Sequence, residues 1–198
     1  MEFLILEAAE KLFVEQGFAK TTTGQIAKQA GCNQALVHYY YRTKDNLFEK
    51  VFEEKIRLMA TNLLGASSIG NTLEEKITKM VEMHFDFLMK NERLIPFLFN
   101  ELSFNPDRIQ PLFNKLKQYP MPILAQIEES LKEEIEKGNL CPILGMDLLI
   151  TVVSLNVTPF LMKPVFQRAL NVSDKDYQDL LIHRKKETVD TILSRLKK

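Results

Sequence analysis

The most informative stretch of the chain is residues 21–44, which read TTTGQIAKQAGCNQALVHYYYRTK. Its three threonines offer hydroxyl groups that can cap a helix, and the apolar residues after them predict a helix of about two turns that ends at Gly31. Asn33 can cap a second short helix, from Gln34 to Tyr40. Gly31 can adopt the positive φ that a tight turn between two helices needs. The stretch therefore predicts two short helices joined by a glycine turn.

Two short helices joined in this way are typical of a helix-turn-helix, whose second helix enters the major groove of DNA. The side chains predicted to face inward are Ile26, Ala30, Cys32, Val37 and Tyr41. Those predicted to face outward are Gln34, Ala35, His38 and Tyr39. Residues 16–44 also contain four basic side chains and no acidic one, in a chain whose formal net charge is zero. A local basic patch favours DNA binding over the alternative, in which Gly31 ends one helix of an ordinary bundle.

The rest of the chain also has helical periodicity, and no alternating strand pattern of useful length is present. Helices are predicted at about 3–16, 44–64, 72–90, 93–103, 107–118, 121–137, 145–169 and 174–197. The predicted fold is all-α, with an N-terminal three-helix helix-turn-helix DNA-binding domain and a C-terminal helical bundle. We expect the first domain at residues 1–47 and the second at 48–198, with the helix at about 44–64 connecting them.

The amino-acid composition excludes a disordered chain, a collagen and a disulfide scaffold. Apolar residues make up 45% of the 198 and charged residues 26%, as in a globular chain. Cys32 and Cys141 have no CxxC or histidine-rich companion, so no disulfide, metal or cofactor is expected and a reducing compartment, the cytoplasm, is the expected location. No signal peptide is expected at the N-terminus. The uncharged stretch 148–162 is shorter than the ~20 residues that cross a bilayer, so no membrane partner is expected.

An enzyme is the competing functional class, and the sequence offers it little. There is no phosphate-binding glycine loop and no HExxH motif. Glu82, His84 and Asp86 look like a ligand set, but on a helix His84 points about 200° away from its neighbours two residues off, so the three cannot share one metal. The protein is therefore predicted not to be an enzyme. A helical adaptor that binds only other proteins remains the alternative to a DNA-binding regulator.

The N-terminal region resembles the DNA-binding domain of the tetracycline-repressor (TetR) family of bacterial transcription regulators. The resemblance spans about 45 residues and rests on Ile5-Leu6, Ala8-Ala9, Leu12-Phe13, Gly17-Phe18, Thr21–Ala27, Ala30-Gly31 and His38–Phe48. Three positions depart from the family's usual residues: His38 replaces a tyrosine, Cys32 a valine and Asn33 a serine. The last two changes keep an apolar and a capping residue in place.

The resemblance implies a set of DNA-contacting residues. It places Gln34 and Ala35 at the base-facing start of the recognition helix, where Gln can form a bidentate pair with adenine. Tyr39, Thr23 and Lys44 match phosphate contacts in the family. The complete expected set is Thr22, Thr23, Asn33, Gln34, Ala35, His38, Tyr39 and Lys44.

The resemblance also implies a homodimer that binds a palindromic operator in double-stranded DNA and is released as a repressor when a small molecule enters the C-terminal bundle. The helices at about 145–169 and 174–197 are rich in apolar residues and are predicted to form the dimer interface, with an intramolecular core as the alternative. Residues 80–121 are rich in Met and Phe, so we expect a largely apolar or aromatic effector, although aromatic residues at this spacing also suit ordinary core. The expected ligand-binding residues are His84, Phe87, Glu101, Asn156 and Thr158.

Overall fold

The computed structural model describes residues 1–67, 69–110 and 118–197. Within these ranges the chain forms eleven α-helices, and extended backbone pairs only in one isolated bridge, between Leu140 and Lys197. The helices are α1 (Glu2–Gln16), α2 (Thr23–Gln29), α3 (Gln34–Tyr41), α4 (Lys44–Ser67), α5 (Leu73–Lys90), α6 (Leu94–Phe104), α7 (Pro106–Ile109), α8 (Pro120–Glu136), α9 (Gly145–Leu161), α10 (Lys163–Leu170) and α11 (Asp174–Leu196). The all-α prediction is confirmed. The helix predicted at 107–118 lies largely outside the described residues.

The chain divides into two compact units. The first contains Met1–Leu58 and Pro96–Lys117, and the second contains Met59–Ile95 and Gln118–Lys198. The predicted domains, 1–47 and 48–198, were defined by their expected roles and not by compactness. Their division therefore remains a prediction.

The first unit is built around a group of aromatic rings. The rings of Phe13, Phe18 and Phe48 lie 5.0 to 5.7 Å apart, centre to centre, and Phe97 lies 5.9 Å from Phe48. Ile26 of α2 and Val37 of α3 are buried in the same unit. Each short helix is thus stabilised mainly by apolar burial, since helices of two turns are only marginally stable alone.

In the second unit, α5, α9 and α11 pack against one another and α8 packs against α9. Its apolar core takes residues from α5 (Ile77, Met80 and Val81), α8 (Ile127 and Leu131), α9 (Leu148 and Val152) and α11 (Val189, Ile192 and Leu196). Several of the apolar residues predicted to form a dimer interface are therefore used inside the protomer. No single helix among the described residues is both long and apolar enough to cross a membrane, and only the bent pair α9 and α10 meets that length and composition together.

The helix predicted at 145–169 is wrong in its continuity. The structure has two helices, α9 and α10, that meet at Met162 with a bend of 54°. Pro159 lies inside α9, whereas Pro164 lies in the first turn of α10. A proline is tolerated in the first turn of a helix, but it has no N–H to donate to the carbonyl oxygen four residues earlier, so a helix that breaks ahead of Pro164 avoids losing an internal hydrogen bond. The Tyr177 hydroxyl donates to the carbonyl oxygen of Pro159 at 2.6 Å.

Candidate functional site

Local hydrogen bonds define both ends of the turn between α2 and α3. Thr22 caps α2 with a reciprocal pair of bonds: its Oγ1 accepts from the Gln25 backbone N–H, and the Gln25 side-chain oxygen accepts from the Thr22 backbone N–H. Gly31 has a φ of 68°, in the left-handed region that favours glycine. Asn33 caps α3, since its Oδ1 accepts from the Leu36 backbone N–H at 2.9 Å. The predicted caps and glycine turn are present.

One face of α3 is open to solvent. Gln34, Ala35 and His38 are exposed, and Tyr39 is 68% exposed. The opposite face carries the buried Val37 and Tyr41. Of the residues predicted to point inward, Ala30 and Cys32 are only half-buried, because they lie at the turn rather than in the core.

Gln34 and Thr23 are joined across the turn. The Gln34 Nε2 donates to the Thr23 Oγ1 at 2.7 Å. An amide nitrogen carries two N–H groups, so one N–H and the Oε1 acceptor remain available on Gln34. Those two groups are what a bidentate pair with adenine requires. The bond therefore orients Gln34 without using the atoms that would read a base.

His38 has a defined tautomer. Its Nδ1 lies 2.9 Å from the carbonyl oxygen of Arg42, which can only accept, so Nδ1 carries the proton in the neutral ring. The Nε2 atom is then a hydrogen-bond acceptor on an exposed side chain. Arg42 itself has a φ of 64°, and it ends α3.

Charge on this region is positive. Lys20, Lys28 and Arg42 are exposed, and residues 16–44 contain no acidic side chain. The fourth basic residue, Lys44, differs because its Nζ donates to the carbonyl oxygens of Phe18 and Thr21, each at 3.0 Å. The family resemblance implied a phosphate contact for Lys44, and the sequence contains no indication of these internal hydrogen bonds.

A second group of polar side chains lies inside the second unit. His84 of α5 is 1% exposed and Asn156 of α9 is fully buried. The Asn156 Nδ2 donates to the carbonyl oxygen of Val81 at 3.0 Å and lies 3.1 Å from the His84 Nδ1. Burial lowers the pKa of His84 to about 4, so its ring is neutral at pH 7.

These bonds fix which atoms carry hydrogens. The Val81 oxygen only accepts, so the Asn156 atom facing it is the amide nitrogen, and the same nitrogen donates to the His84 Nδ1. In the neutral ring the proton must then be on Nε2. Neither the His84 Nε2 nor the Asn156 Oδ1 has a hydrogen-bond partner among the residues that the structure describes. The pair therefore presents one unused donor and one unused acceptor in the protein interior.

Thr188 of α11 adds a third such group that the sequence analysis missed. It is fully buried, and its Oγ1 has no hydrogen-bond partner in the described part of the chain. Ion pairs between Asp86 and Lys185 (2.8 Å) and between Glu74 and Lys197 (3.7 Å) define an antiparallel register for α5 and α11. That register puts Thr188 level with the residue before His84. We call His84, Asn156 and Thr188 the buried polar cluster. In the sequence, only the position of Thr188 among the apolar residues of the helical pattern could have indicated that it is buried.

The other predicted ligand-binding residues are not all part of this cluster. Phe87 is buried in the second unit, 7% exposed. Thr158 is exposed, and its hydroxyl donates to the carbonyl oxygen of Ser154 at 2.6 Å within α9. Glu101 is buried in the first unit. The described residues include no group of three His, Cys, Asp or Glu side chains that could hold a metal ion.

Comparison with known proteins gives concordant results. The sequence model of the family described as "Bacterial regulatory proteins, tetR family" matches residues 5–51. The fatty acid metabolism regulator protein of Bacillus subtilis is 23% identical over 136 residues, which cover 69% of this chain and 69% of that protein.

Two solved structures extend the likeness over nearly the whole chain. The transcriptional regulator FadR from Bacillus subtilis, in complex with stearoyl-CoA, is similar with a TM-score of 0.72, 18% identity and coverage of 98% of this chain and 99% of that one. The fatty acid degradation regulator FadR from Bacillus halodurans is similar with a TM-score of 0.65, 19% identity and coverage of 95% and 94%. At these identities the structures indicate a shared fold.

Proposed function

Because the chain belongs to the TetR family of bacterial transcription regulators, we propose that it is a repressor that binds a palindromic operator as a homodimer and leaves it when a small molecule binds. The observation that carries the proposal is the open face of α3, which rises from a capped glycine turn inside an acid-free, basic segment. This combination suits a helix that enters the major groove of DNA.

The residues of this interface have two kinds of role. Gln34, Ala35 and His38 read base edges, with Gln34 offering a donor and an acceptor and His38 offering Nε2. The remaining residues keep the protein in register on the sugar–phosphate backbone. They either contact the backbone or hold in place the helix ends that contact it. They are Thr22, Thr23, Asn33, Tyr39 and Lys44. A DNA-bound role also places the protein in the bacterial cytoplasm.

The dimer is proposed to form through α9 and α11. Apolar side chains on α9 repeat at spacings of four and three residues along one side that the protomer leaves exposed or half-exposed: Met146, Ile150, Val153 and Val157. Leu180 of α11 is 39% exposed. Such a stripe suits two-fold packing of helices from two copies.

The effector is proposed to be small and largely apolar or aromatic, and to be oriented by the buried polar cluster. Phe87 and the packed rings of Phe85 and Phe160, whose centres lie 5.3 Å apart, supply apolar surface in the same unit. The cluster needs a group that both donates and accepts hydrogen bonds and carries no charge, such as a hydroxyl or an amide. A carboxylate is disfavoured because it would be desolvated beside the Asn156 oxygen.

Release is proposed to act through α4. This helix begins at Lys44, directly after the recognition helix, and continues without interruption to Ser67. An effector lowers operator affinity only by the difference between its affinities for the free and DNA-bound conformations. Operator DNA must then weaken effector binding by the same factor, typically about 5–150-fold.

The first experiment tests DNA binding and assembly together. A pool of random duplexes is enriched on the protein, and the selected DNA is titrated in mobility-shift assays while sedimentation measures the mass of the free protein. We expect palindromic sequences and a dimer. Ile150→Glu should yield monomers that bind the selected DNA weakly, whereas Leu170→Glu, at a 65% exposed apolar residue of α10, should not. If the protein enriches no sequence, the result would instead support the alternative, a helical adaptor that binds only other proteins.

The second experiment tests the effector. Because a similar protein was solved with stearoyl-CoA, a long-chain acyl-CoA is a suitable first probe, beside a long-chain alcohol and an aromatic amide that offer the uncharged group. Calorimetric titration with and without the selected DNA measures the coupling. Equal affinities in the two titrations would contradict the release mechanism.

A further inference from the structure

Lys44, the first residue of α4, directs its ammonium group into the protein. The Nζ donates to the carbonyl oxygens of Phe18 and Thr21, each at 3.0 Å, and lies 4.0 Å from the centre of the Phe18 ring. An ammonium group has three N–H donors, so two of them are used by backbone atoms of a distant segment. Hydrogen bonds from a charged donor contribute more to stability than those between neutral groups.

The two carbonyl groups belong to the first and last residues of a tight turn, 18–21. This turn lies within the corner between α1 and α2, which we define as residues 17–22. Gly17 begins this corner with a φ of 81°. The Thr21 backbone N–H donates to the Phe18 oxygen at 3.2 Å, and the fully buried Thr21 hydroxyl donates to the Gly17 oxygen at 2.8 Å. Lys44 therefore binds both ends of a tight turn, and the residue after that turn, Thr22, is the cap of α2.

The ring beneath the ammonium group is itself held in place. Phe18 packs against Phe13 of α1 and Phe48 of α4, with ring centres 5.7 and 5.0 Å away. A cation over an aromatic face is attracted to it, and the attraction strengthens as the cation loses water. A phosphate would have to compete with two carbonyls and a ring for the same cation.

We infer that Lys44 is a positioning residue that holds the corner of residues 17–22 against the start of α4 and so sets where α2 and α3 meet DNA. The inference rests on the proposed DNA-binding function and assigns Lys44 a different role from a phosphate contact. Movement of the corner shifts Thr22 and Thr23 directly. It also shifts Gln34, which is bonded to Thr23.

Three measurements on Lys44→Met separate the possible roles, because methionine keeps an apolar stem but removes the cation. The measurements are the melting temperature, the affinity of the folded protein for the selected DNA, and the dependence of that affinity on salt. We expect a lower melting temperature, an affinity reduced about tenfold, and a salt slope equal to that of the unchanged protein, because no phosphate contact is lost.

Two results would overturn the inference. A slope smaller by about one, with an unchanged melting temperature, identifies a phosphate contact. A lower melting temperature with unchanged affinity of the folded protein identifies a contribution to folding alone. Lys28→Met is the matched control, because it removes one charge from the exposed part of the basic patch and leaves the corner intact. Failure of the unchanged protein to select any DNA refutes the proposed function and this inference with it.

Phe18→Leu keeps the cation and removes the ring, and it serves if Lys44→Met does not fold. The positioning role predicts reduced affinity at an unchanged salt slope. Unchanged affinity of folded Phe18→Leu would show that the corner does not set the DNA-binding geometry.

Discussion

The two units bury polar side chains in different ways. In the first, the fully buried Thr21 accepts a hydrogen bond from Gln16 and donates one to Gly17, and no buried side-chain nitrogen or oxygen among the described residues of that unit lacks a partner. In the described part of the second, four buried atoms lack one: Asn62 Oδ1, His84 Nε2, Asn156 Oδ1 and Thr188 Oγ1.

Across the described ranges, the first unit therefore satisfies the hydrogen bonding of its buried polar atoms, and the second does not. A buried polar atom without a partner costs about 1–3 kcal/mol, so several of them in one core are a substantial deficit for that core. The first unit satisfies its interior and offers its remaining polar groups outward, on α3. The second keeps unused donors and acceptors inside, and these are the groups that the proposed effector would engage.

Acid should destabilise the second unit through His84, and this is the largest effect that we expect. The pKa of His84 is lowered from 6.5 to about 4 in the folded protein, so between these pH values the unfolded chain binds a proton that the folded one does not. The free energy of unfolding should therefore be unaffected by His84 above pH 6.5 and fall as the pH decreases toward 4, by roughly 3 kcal/mol at about 1.4 kcal/mol per pKa unit.

Urea denaturation across this pH range measures the effect, and His84→Gln is the comparison. The variant lacks the titrating ring, so its free energy of unfolding should not show the decrease that His84 causes between pH 6.5 and pH 4. The nearby Asp86–Lys185 ion pair is present in both proteins. Parallel pH profiles for the two proteins would mean that His84 is not buried in its neutral form.

Replacing Gln34 tests whether the first unit acts through its surface. Gln34→Ala should reduce affinity for the selected DNA by about 1–3 kcal/mol and relax the preference at one base pair. Its stability should change by less than about 0.5 kcal/mol, because the side chain is exposed. Equal losses on selected and random duplexes would contradict the base-reading role of Gln34 and the orientation of α3.

A matched pair of threonine substitutions tests the comparison itself, with the smallest expected effects. Thr21→Val removes a hydroxyl that accepts from Gln16 and donates to the Gly17 oxygen, and it should cost about 1–2 kcal/mol of stability. Thr188→Val removes a hydroxyl that has no partner, so without effector it should change stability by less than about 0.5 kcal/mol or stabilise the protein. Thermal unfolding of both variants decides the matter, and equal destabilisation would mean that Thr188 is already satisfied.

The helix-turn-helix could be predicted from sequence because its determinants are local. Capping by Thr22 and Asn33 acts over three residues, and the positive φ of Gly31 is a property of glycine itself. The outward face of α3 follows from helical spacing. These features need no knowledge of what packs elsewhere.

Predictions that depended on distant neighbours were less successful. Periodicity alone ran one helix through Met162, whereas the structure breaks it there. Thr158 and Asn156 lie on the same helix and were treated alike, but only Asn156 is buried. The Lys44 bonds span more than twenty residues, which no local pattern reports.

The sequence by itself determined the helical class, the caps and turn of the helix-turn-helix, and the acid-free charge around it, because composition and short-range hydrogen bonding are written in neighbouring residues. Only the tertiary structure decided that Lys44 binds the corner before α2, and that His84 and Asn156 are hydrogen-bonded to each other while each keeps one buried polar atom without a partner among the described residues. It also decided that Thr188 is buried at the level of the residue before His84. Such contacts join helices that are far apart in the chain, and their geometry depends on how apolar faces pack.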